Sequence, residues 1–265
     1  MKRAFLILSL LLAAAVVAHA QTTAPVPVPA AVAPASPAIA AAVPGTTQAR
    51  ALAPFVASYE VYCGGKAFGD ATLQLAKLDG TRWRVDLGIR GTRGLIGLAG
   101  LNLQQSTLFD VASAQYRPLS QSTVRKAFFG NRKSTGVYDW NRRMARWQGD
   151  VKKTRRGEVA LQDGDMSGLL INLAVLRDAQ PGATLQYRFV DDGRVRNHQY
   201  VVAGEREPQV VDEISYSAMR VTRAKGGNEE TVLWVVEGVP MPVRILQREN
   251  GEDVTDLRLM EYKGA

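Results

Sequence analysis

The sequence predicts a mainly β protein, built on one strongly curved antiparallel sheet or an open β-barrel with one or two helices. Short runs in which apolar and polar residues alternate recur after residue 54. Turn-forming residues separate these runs at intervals of about 8–12 residues. Only one segment has the three- and four-residue apolar spacing of a long helix. Many short strands joined by regular turns are typical of a curved or closed antiparallel sheet.

The clearest strands lie at the start of this region. The run from Trp83 to Ile89 alternates apolar residues with polar residues or glycine, and residues 71–78 alternate in the same way. Asp79-Gly80 between the two runs predicts a hairpin turn. The same pattern predicts further strands at 58–62, 103–111, 118–128, 133–140, 143–149, 184–190, 195–203, 211–223, 230–237, 241–248 and 254–262.

Two segments interrupt the alternation. Residues 165–178, DMSGLLINLAVLRD, predict the main helix, because leucines at 169, 170, 173 and 176 form an apolar stripe. Asp165 is expected to cap this helix, which should lie against or inside the sheet. Residues 91–103, GTRGLIGLAGLNL, are apolar and rich in glycine, which predicts a short second helix or a mobile flap.

The first 20 residues have the form of a secretory signal peptide. Lys2 and Arg3 precede an apolar run, and Ala18-His19-Ala20 supplies the small residues at which signal peptidase cleaves. We therefore expect a periplasmic or secreted protein that is cleaved after Ala20. Cys63 is far from this site, so the protein is not expected to be a lipoprotein. No later segment has 18 consecutive apolar residues, so no transmembrane span is expected in the mature chain.

The remaining chain divides by composition into two parts. Residues 21–53 contain six prolines and twelve alanines but a single charged residue, which predicts a disordered Ala/Pro-rich linker. Residues 54–265 are predicted to form a single β-rich domain, since this length can bury one sizeable core.

The charge is distributed unevenly along the domain. Residues 81–160 contain 16 Lys or Arg against 5 Asp or Glu, whereas residues 161–265 contain 12 against 17. In the cell envelope, the anions available to a basic surface are lipid phosphates and acidic polymers rather than nucleic acid. The alternative is a solvated surface whose two halves attract each other on folding.

The sequence lacks the common motifs of catalysis and cofactor binding, including Gly-x-Ser-x-Gly, His-Glu-x-x-His, the Walker loop and Cys-x-x-Cys. After cleavage only Cys63 and His198 remain of their types, which excludes metal sites rich in cysteine or histidine. We expect Cys63 to be a buried core thiol and His198 a surface or hydrogen-bonded side chain. The prediction is therefore a protein with no catalytic site, cofactor or metal. A hydrolase based on aspartate or glutamate is the alternative, although neighbouring acidic residues on a strand point to opposite faces.

Basic and aromatic residues are interleaved on successive candidate strands between residues 125 and 156. If these strands pair, several cations share one face and can contact an anionic head group beside an aromatic ring. The predicted ligand-binding residues are Arg125, Lys126, Arg142, Arg143, Arg146, Trp140 and Trp147, with the apolar Leu95, Ile96 and Leu98 in the flap. The alternative is that the aromatic residues belong to the core and the cations to the wet side of the same strands.

Several short motifs, taken in order, resemble those of the domain-of-unknown-function 3108 family of bacterial envelope proteins. They are Tyr59-x-Val61 with Gly64 and Gly69, Phe109 and Pro118, Tyr138-Asp139-Trp140, Asp165-Met166-Ser167, and Leu233-Trp234 before Pro240-Met241-Pro242-Val243-Arg244-Ile245. The resemblance covers roughly residues 55–262 and implies a secreted β-rich domain with no assigned activity. By analogy of fold, it implies a curved half-barrel similar to those of periplasmic lipoprotein carriers, whose apolar cavity shields acyl chains.

Two functions are compatible with these observations. The first is a non-catalytic periplasmic protein that binds a lipid-like or other apolar or anionic envelope ligand in a curved-sheet cavity, with residues 95–103 as a lid. The second is a structural or assembly factor that binds a protein partner or the cell-wall polymer. An open apolar cavity would favour the first function, and a filled interior would favour the second.

Overall fold

The described residues form an antiparallel sheet that curves around an apolar interior. The computed structural model describes residues 52–93, 101–112, 115–127, 130–224 and 227–264. The predicted signal peptide and nearly all of the predicted linker therefore lie outside the described residues. The strands are β1 (Phe55–Cys63), β2 (Lys66–Lys77), β3 (Arg82–Gly91), β4 (Asn102–Ala112), β5 (Gln115–Ala127), β6 (Gly130–Asp139), β7 (Met144–Gly149), β8 (Val159–Ala160), β9 (Thr184–Asp191), β10 (Arg194–Val211), β11 (Ile214–Ala224), β12 (Glu229–Val236), β13 (Arg244–Glu249) and β14 (Glu252–Gly264).

These 14 strands belong to a single sheet, which confirms the predicted fold class. Their order is β8-β7-β6-β5-β4-β3-β2-β1-β14-β13-β12-β11-β10-β9, and neighbouring strands are antiparallel. The first and last strands pair near the middle of the sheet. Among the described residues β8 and β9 are its two ends, so strand pairing does not close the sheet into a complete barrel.

Alternate residues of each strand point to the buried side of the sheet, which we call the concave face. On β1 these are Phe55, Ala57, Tyr59 and Val61, each at most 1% exposed. The register places Leu73 of β2 opposite Ala57, and the same face continues from strand to strand. Over most of the sheet, the period-two alternation in the sequence therefore corresponds to one buried face and one face that meets solvent.

The helix predicted to lie against or inside the sheet is present as α1 (Gly168–Asp178). Seven of its eleven residues are buried. It contacts β9 at one end of the sheet and β3, β4 and β5 in the other half. It begins three residues later than predicted, and Asp165 does not cap it: Ser167 occupies the N-cap position without a side-chain hydrogen bond.

Asp165 instead joins the two ends of the sheet. Its fully buried carboxylate accepts hydrogen bonds from Nη1 of Arg188 on β9, at 2.6 Å to Oδ1, and from the backbone N–H of Gln162, at 2.8 Å. Arg188 also donates to the carbonyl of Ala160 on β8 at 3.1 Å. Met166 then forms an isolated parallel bridge with Phe189. The predicted cap was wrong because a carboxylate without water is better satisfied by a guanidinium than by helix amides.

A second contact between the ends covers β9 from its other side. Val190 is fully buried in a cluster with Tyr138, Trp147 and Leu161. The Tyr138 hydroxyl lies 2.7 Å from the carbonyl oxygen of Val190. Because Val190 and its neighbour Phe189 point to opposite faces and are both buried, β9 is covered on both faces.

The strand boundaries differ most from prediction around β10 and β11. The predicted strand 211–223 begins at a residue that closes β10, because Asp212 and Glu213 form a turn with positive φ angles of 46° and 67°. Acidic residues gave no strong turn signal there. Cys63, predicted to be a buried core thiol, is half-buried and free, and burial raises its pKa to about 11.

Candidate functional site

The concave face has two ends of different chemistry. We call the end that holds α1, Phe55, Leu75 and Tyr116 the helix end. We call the other the arginine end: there Arg196 lies near the start of β10, Arg223 near the end of β11 and Arg125 near the end of β5. Register places these three side chains on the concave face. Cationic residues thus point inward on strands from both halves of the sheet.

Arg196, His198 and Arg223 form one group, which we call the arginine cluster. Arg223 lies directly opposite Tyr200. Arg196 and His198 precede Tyr200 on β10 at intervals of two residues, so all three side chains lie on the same face. His198 is therefore a diagonal neighbour of Arg223. The positive charges of Arg223 and Arg196 both lower the pKa of His198, as expected for side chains in close proximity.

His198 is held neutral by its surroundings. Its ring stacks on Phe189, with centroids 4.5 Å apart and planes 14° apart. Burial, followed by the charges of Arg223 and Arg196, lowers its pKa from 6.5 to about 4. Its Nδ1 atom is buried and has no hydrogen-bond partner among the described residues. His198 is thus half-buried and its Nδ1 forms no hydrogen bond within the described residues, where the sequence predicts a surface or hydrogen-bonded side chain.

The two arginines of the cluster are only partly satisfied. The guanidinium of Arg196 lies 5.6 Å from the centroid of the Phe189 ring, and its Nη2 is buried without a hydrogen-bond partner in the described part of the chain. Arg223 donates from Nη2 to the carbonyl and the carboxylate of Glu229, at 3.2 and 3.4 Å. Its Nε is buried and lacks a partner within the same residues. Buried donors are nearly always paired in folded proteins, so these atoms require an explanation.

The nearby carboxylates are already engaged. Asp191 accepts a hydrogen bond from the amide of Gln121, and burial raises the pKa of this carboxyl group. Asp192 forms an ion pair with Arg155 in which both side chains are largely buried. Glu229 pairs with Arg223. Asp191 also favours the charged form of Arg196 through space, although burial dominates and lowers the pKa of that guanidinium.

Arg125 adds a further inward cation from the opposite half of the sheet. It is half-buried and lies directly opposite Arg132 of β6. Like charges in this position repel, and neither side chain forms an ion pair among the residues described. Burial and the charge of Arg132 lower the pKa of Arg125, whose Nε is also without a partner there.

The arginine end is open to solvent at its rim. A depression of about 490 Å³ is lined by Arg223, Glu229, Glu230, Asn250 and residues of the adjoining turns. Arg223 therefore belongs both to the concave face and to a surface that a ligand can reach.

The other basic residues of the predicted site do not converge with Arg125. Lys126 and Arg146 are exposed on the convex face, opposite to Arg125. Arg142 and Arg143 lie at the β6–β7 turn, where they pair with Glu158 and Asp163 at 3.1 and 3.2 Å.

The two tryptophans of the predicted site occupy structural positions. Trp147 is 2% exposed and packs edge-to-face on Tyr138, with ring centroids 5.5 Å apart. Trp140 donates from Nε1 to the carbonyl of Pro118 at 2.6 Å and stacks against Arg117. Leu95, Ile96 and Leu98 lie outside the described residues, as does most of the proposed lid.

Arg196 and Arg223 were missed by sequence reasoning, which considered His198 alone. The available signal was the run Arg194-x-Arg196-x-His198-x-Tyr200, whose alternation places all four side chains on one face of β10. Arg223 could not be added to it, because its position opposite Tyr200 depends on the pairing of β10 with β11.

The described residues offer neither a metal site nor a membrane-spanning helix. No group of three or more potential metal-ligating side chains is found there. No helix in the same residues has the length and apolarity needed to cross a membrane.

Comparisons with known proteins agree with the resemblance seen in the sequence. The family described as "Protein of unknown function (DUF3108)" matches residues 58–258. No curated protein matches the chain in sequence. Solved structures that match include the crystal structure of a β-barrel-like protein of domain of unknown function DUF1849 from Brucella abortus. It is 10% identical, with a TM-score of 0.42, and the alignment covers 81% of this chain and 98% of that one.

Proposed function

Because the chain belongs to the DUF3108 family of proteins of unknown function, we propose a function from its own geometry. The protein is a non-catalytic periplasmic binding protein that holds an amphipathic ligand of the cell envelope on its concave face. The form of the N-terminal 20 residues supports the location, since it matches that of a cleaved signal peptide.

One observation carries this proposal. Along both β10 and β11, the side chains on the concave face change from buried apolar residues, the floor, to cationic residues at the arginine end, the rim. On β11, Met219 and Val221 are buried on the concave face, and Arg223 follows on the same face at the rim. β10 runs in the opposite direction, so its path towards the rim goes down the sequence. The buried Val202 and Tyr200 come first, and His198 and Arg196 lie beyond them at the rim. An amphipathic molecule has matching parts, an apolar body and a polar head, so one ligand can satisfy both regions.

The direct test is to identify what co-purifies with the protein. Native mass spectrometry and solvent extraction of protein purified from the envelope fraction should reveal a lipid-sized adduct. Delipidated protein should regain that mass on incubation with envelope lipids. A mass equal to that of the bare polypeptide, unchanged by such incubation, would contradict the proposal.

A second candidate function is an assembly factor that binds a protein partner. The hairpin of β10 and β11 favours it, because Val210 and Ile214 near its tip are 71% and 56% exposed. Its turn residues are Asp212 and Glu213. Replacing Val210 and Ile214 with aspartate should release a co-purified partner if this function is correct, and should leave any bound lipid in place.

A further inference from the structure

We propose that the arginine cluster binds a phosphate group, with Arg196 and Arg223 as its cationic ligands and His198 as a neutral hydrogen-bond donor. This inference rests on the proposed function and names the chemistry of the ligand's head. The site is assigned by three nitrogen atoms that are buried without partners in the described residues: Nη2 of Arg196, Nε of Arg223 and Nδ1 of His198.

The unsatisfied atoms indicate an acceptor rather than a donor ligand. Both guanidinium atoms are obligatory N–H donors, and a neutral imidazole can present its own proton at Nδ1. A ligand that accepts three hydrogen bonds within one small volume needs several oxygens on one centre. Phosphate provides them, and guanidinium groups match its geometry better than ammonium groups do.

The electrostatics of the site point in the same direction. Arg196 and Arg223 repel each other and both destabilise a charged His198. The three neighbouring carboxylates are occupied: Asp191 by Gln121, Asp192 by Arg155 and Glu229 by Arg223 itself. An incoming anion would therefore relieve repulsion between cations without having to displace a free carboxylate.

The surroundings connect the phosphate site to an apolar surface. The His198 ring is stacked on Phe189 and lies 6.3 Å from the Tyr200 ring, measured between centroids. Tyr200 is 3% exposed, and the buried Val202 follows it along β10. The phosphate site thus adjoins the buried apolar part of the concave face, on the side from which an acyl chain attached to the phosphate would enter.

The experiment compares three probes by isothermal titration calorimetry on delipidated protein. They are inorganic phosphate, a lysophosphatidic acid, and the monoacylglycerol with the same acyl chain but no phosphate. We expect the lysophosphatidic acid to bind at least about tenfold more tightly than the monoacylglycerol, because a buried charge-assisted hydrogen bond contributes at this scale. Arg196→Gln and Arg223→Gln should each abolish that difference.

Arg220→Gln is the matched control. Arg220 lies on the same strand as Arg223 but points to the other face, where it contacts Glu207 at 3.9 Å. This variant loses the same charge and should keep the tenfold preference. Arg223→Lys keeps the charge but loses the fork of donors, so it should bind with intermediate affinity; it also provides a test if Arg223→Gln does not fold.

The outcomes separate this inference from the proposed function. Equal binding of the two lipids would overturn the phosphate site and leave lipid binding intact. Tight binding of inorganic phosphate alone, lost in Arg196→Gln, would support the phosphate site and overturn the lipid-binding function. Failure of all three probes to bind would overturn both. Loss of the preference in Arg220→Gln would also overturn the site, because it would show an effect of net charge alone.

Discussion

The helix end and the arginine end of the concave face are made from the same strands, yet they satisfy their side chains in opposite ways. At the helix end, α1 fills the space above the sheet, and polar groups there are paired: Asp178 accepts hydrogen bonds from Arg177 and Tyr187. At the arginine end, Arg196, His198 and Arg223 have buried nitrogens without partners in the described residues. The first end therefore stabilises the fold, whereas the second is where we propose that the ligand binds.

The largest expected effect concerns the buried ion pair between Asp165 and Arg188, which joins the two ends of the sheet. Asp165→Asn removes the charge that neutralises Arg188 in a buried setting, and should lower the free energy of unfolding by about 3–5 kcal/mol. Urea denaturation measures the change. The control is Asp86→Asn, which breaks a solvent-exposed pair with Arg84 and should cost less than about 1 kcal/mol. Similar losses in the two variants would contradict the difference between buried and exposed pairs.

The next effect concerns the arginine end and depends on pH. The pKa of His198 is about 4 in the folded protein and 6.5 ordinarily, so the unfolded chain takes up the proton first. The stability linked to this group is complete above pH 6.5 and is lost as the pH falls towards 4, by up to about 3 kcal/mol. His198→Phe should lack this loss, so we expect the two unfolding curves to diverge in that range. Parallel curves would show that His198 is not desolvated.

A smaller effect tests the packing that joins the two ends of the sheet. A Cβ atom added at Gly136 would lie 2.5 Å from Nε1 of Trp147, so Gly136→Ala should cost about 1–3 kcal/mol. Gly88 is the control, because an added Cβ there meets no atom within 4 Å. Gly88→Ala should be neutral or slightly stabilising in the same thermal unfolding measurement. Equal stability of both variants would argue against close packing at Trp147.

The smallest effect compares the two faces of one strand. Arg125 and Lys126 are adjacent, but Arg125 points to the concave face and Lys126 to solvent. Arg125→Gln should weaken binding of the phosphate-bearing lipid about twofold, the size expected for a single charge that does not contact the ligand. Lys126→Gln should leave the affinity unchanged. If Lys126→Gln had the larger effect, the convex face would be the binding surface.

The sequence was sufficient for the features that depend on neighbours along the chain. The alternation from Trp83 to Ile89 predicted β3, and Asp79-Gly80 predicted the turn before it, because side-chain direction and turn geometry are local properties. The leucines of 169–176 predicted α1 for the same reason. The length of β10 was not predicted, because Pro208 usually ends a strand; it is tolerated where β9 no longer pairs with β10.

The features that the sequence did not predict depend on long-range pairing. Asp165 and Arg188 are 23 residues apart and meet only because α1 returns the chain from β8 to β9. Arg223 and Arg196 meet only through the register of β10 with β11. The predicted basic site was assembled from residues close in sequence, and the strand order then distributed them over two faces and a turn.

The pairing of β1 with β14 has a consequence for how the chain acquires its structure. Within residues 55–160 and within residues 184–264, each strand pairs with the strand that follows it in sequence. Every strand pair except β1–β14 can therefore form soon after its second strand has been made. Tyr59, by contrast, must wait for Leu259, some 200 positions later. Until β14 has been made, one edge of β1 lacks its partner strand and is open to mispairing, so we expect this junction to form late and to be the most aggregation-prone step of folding.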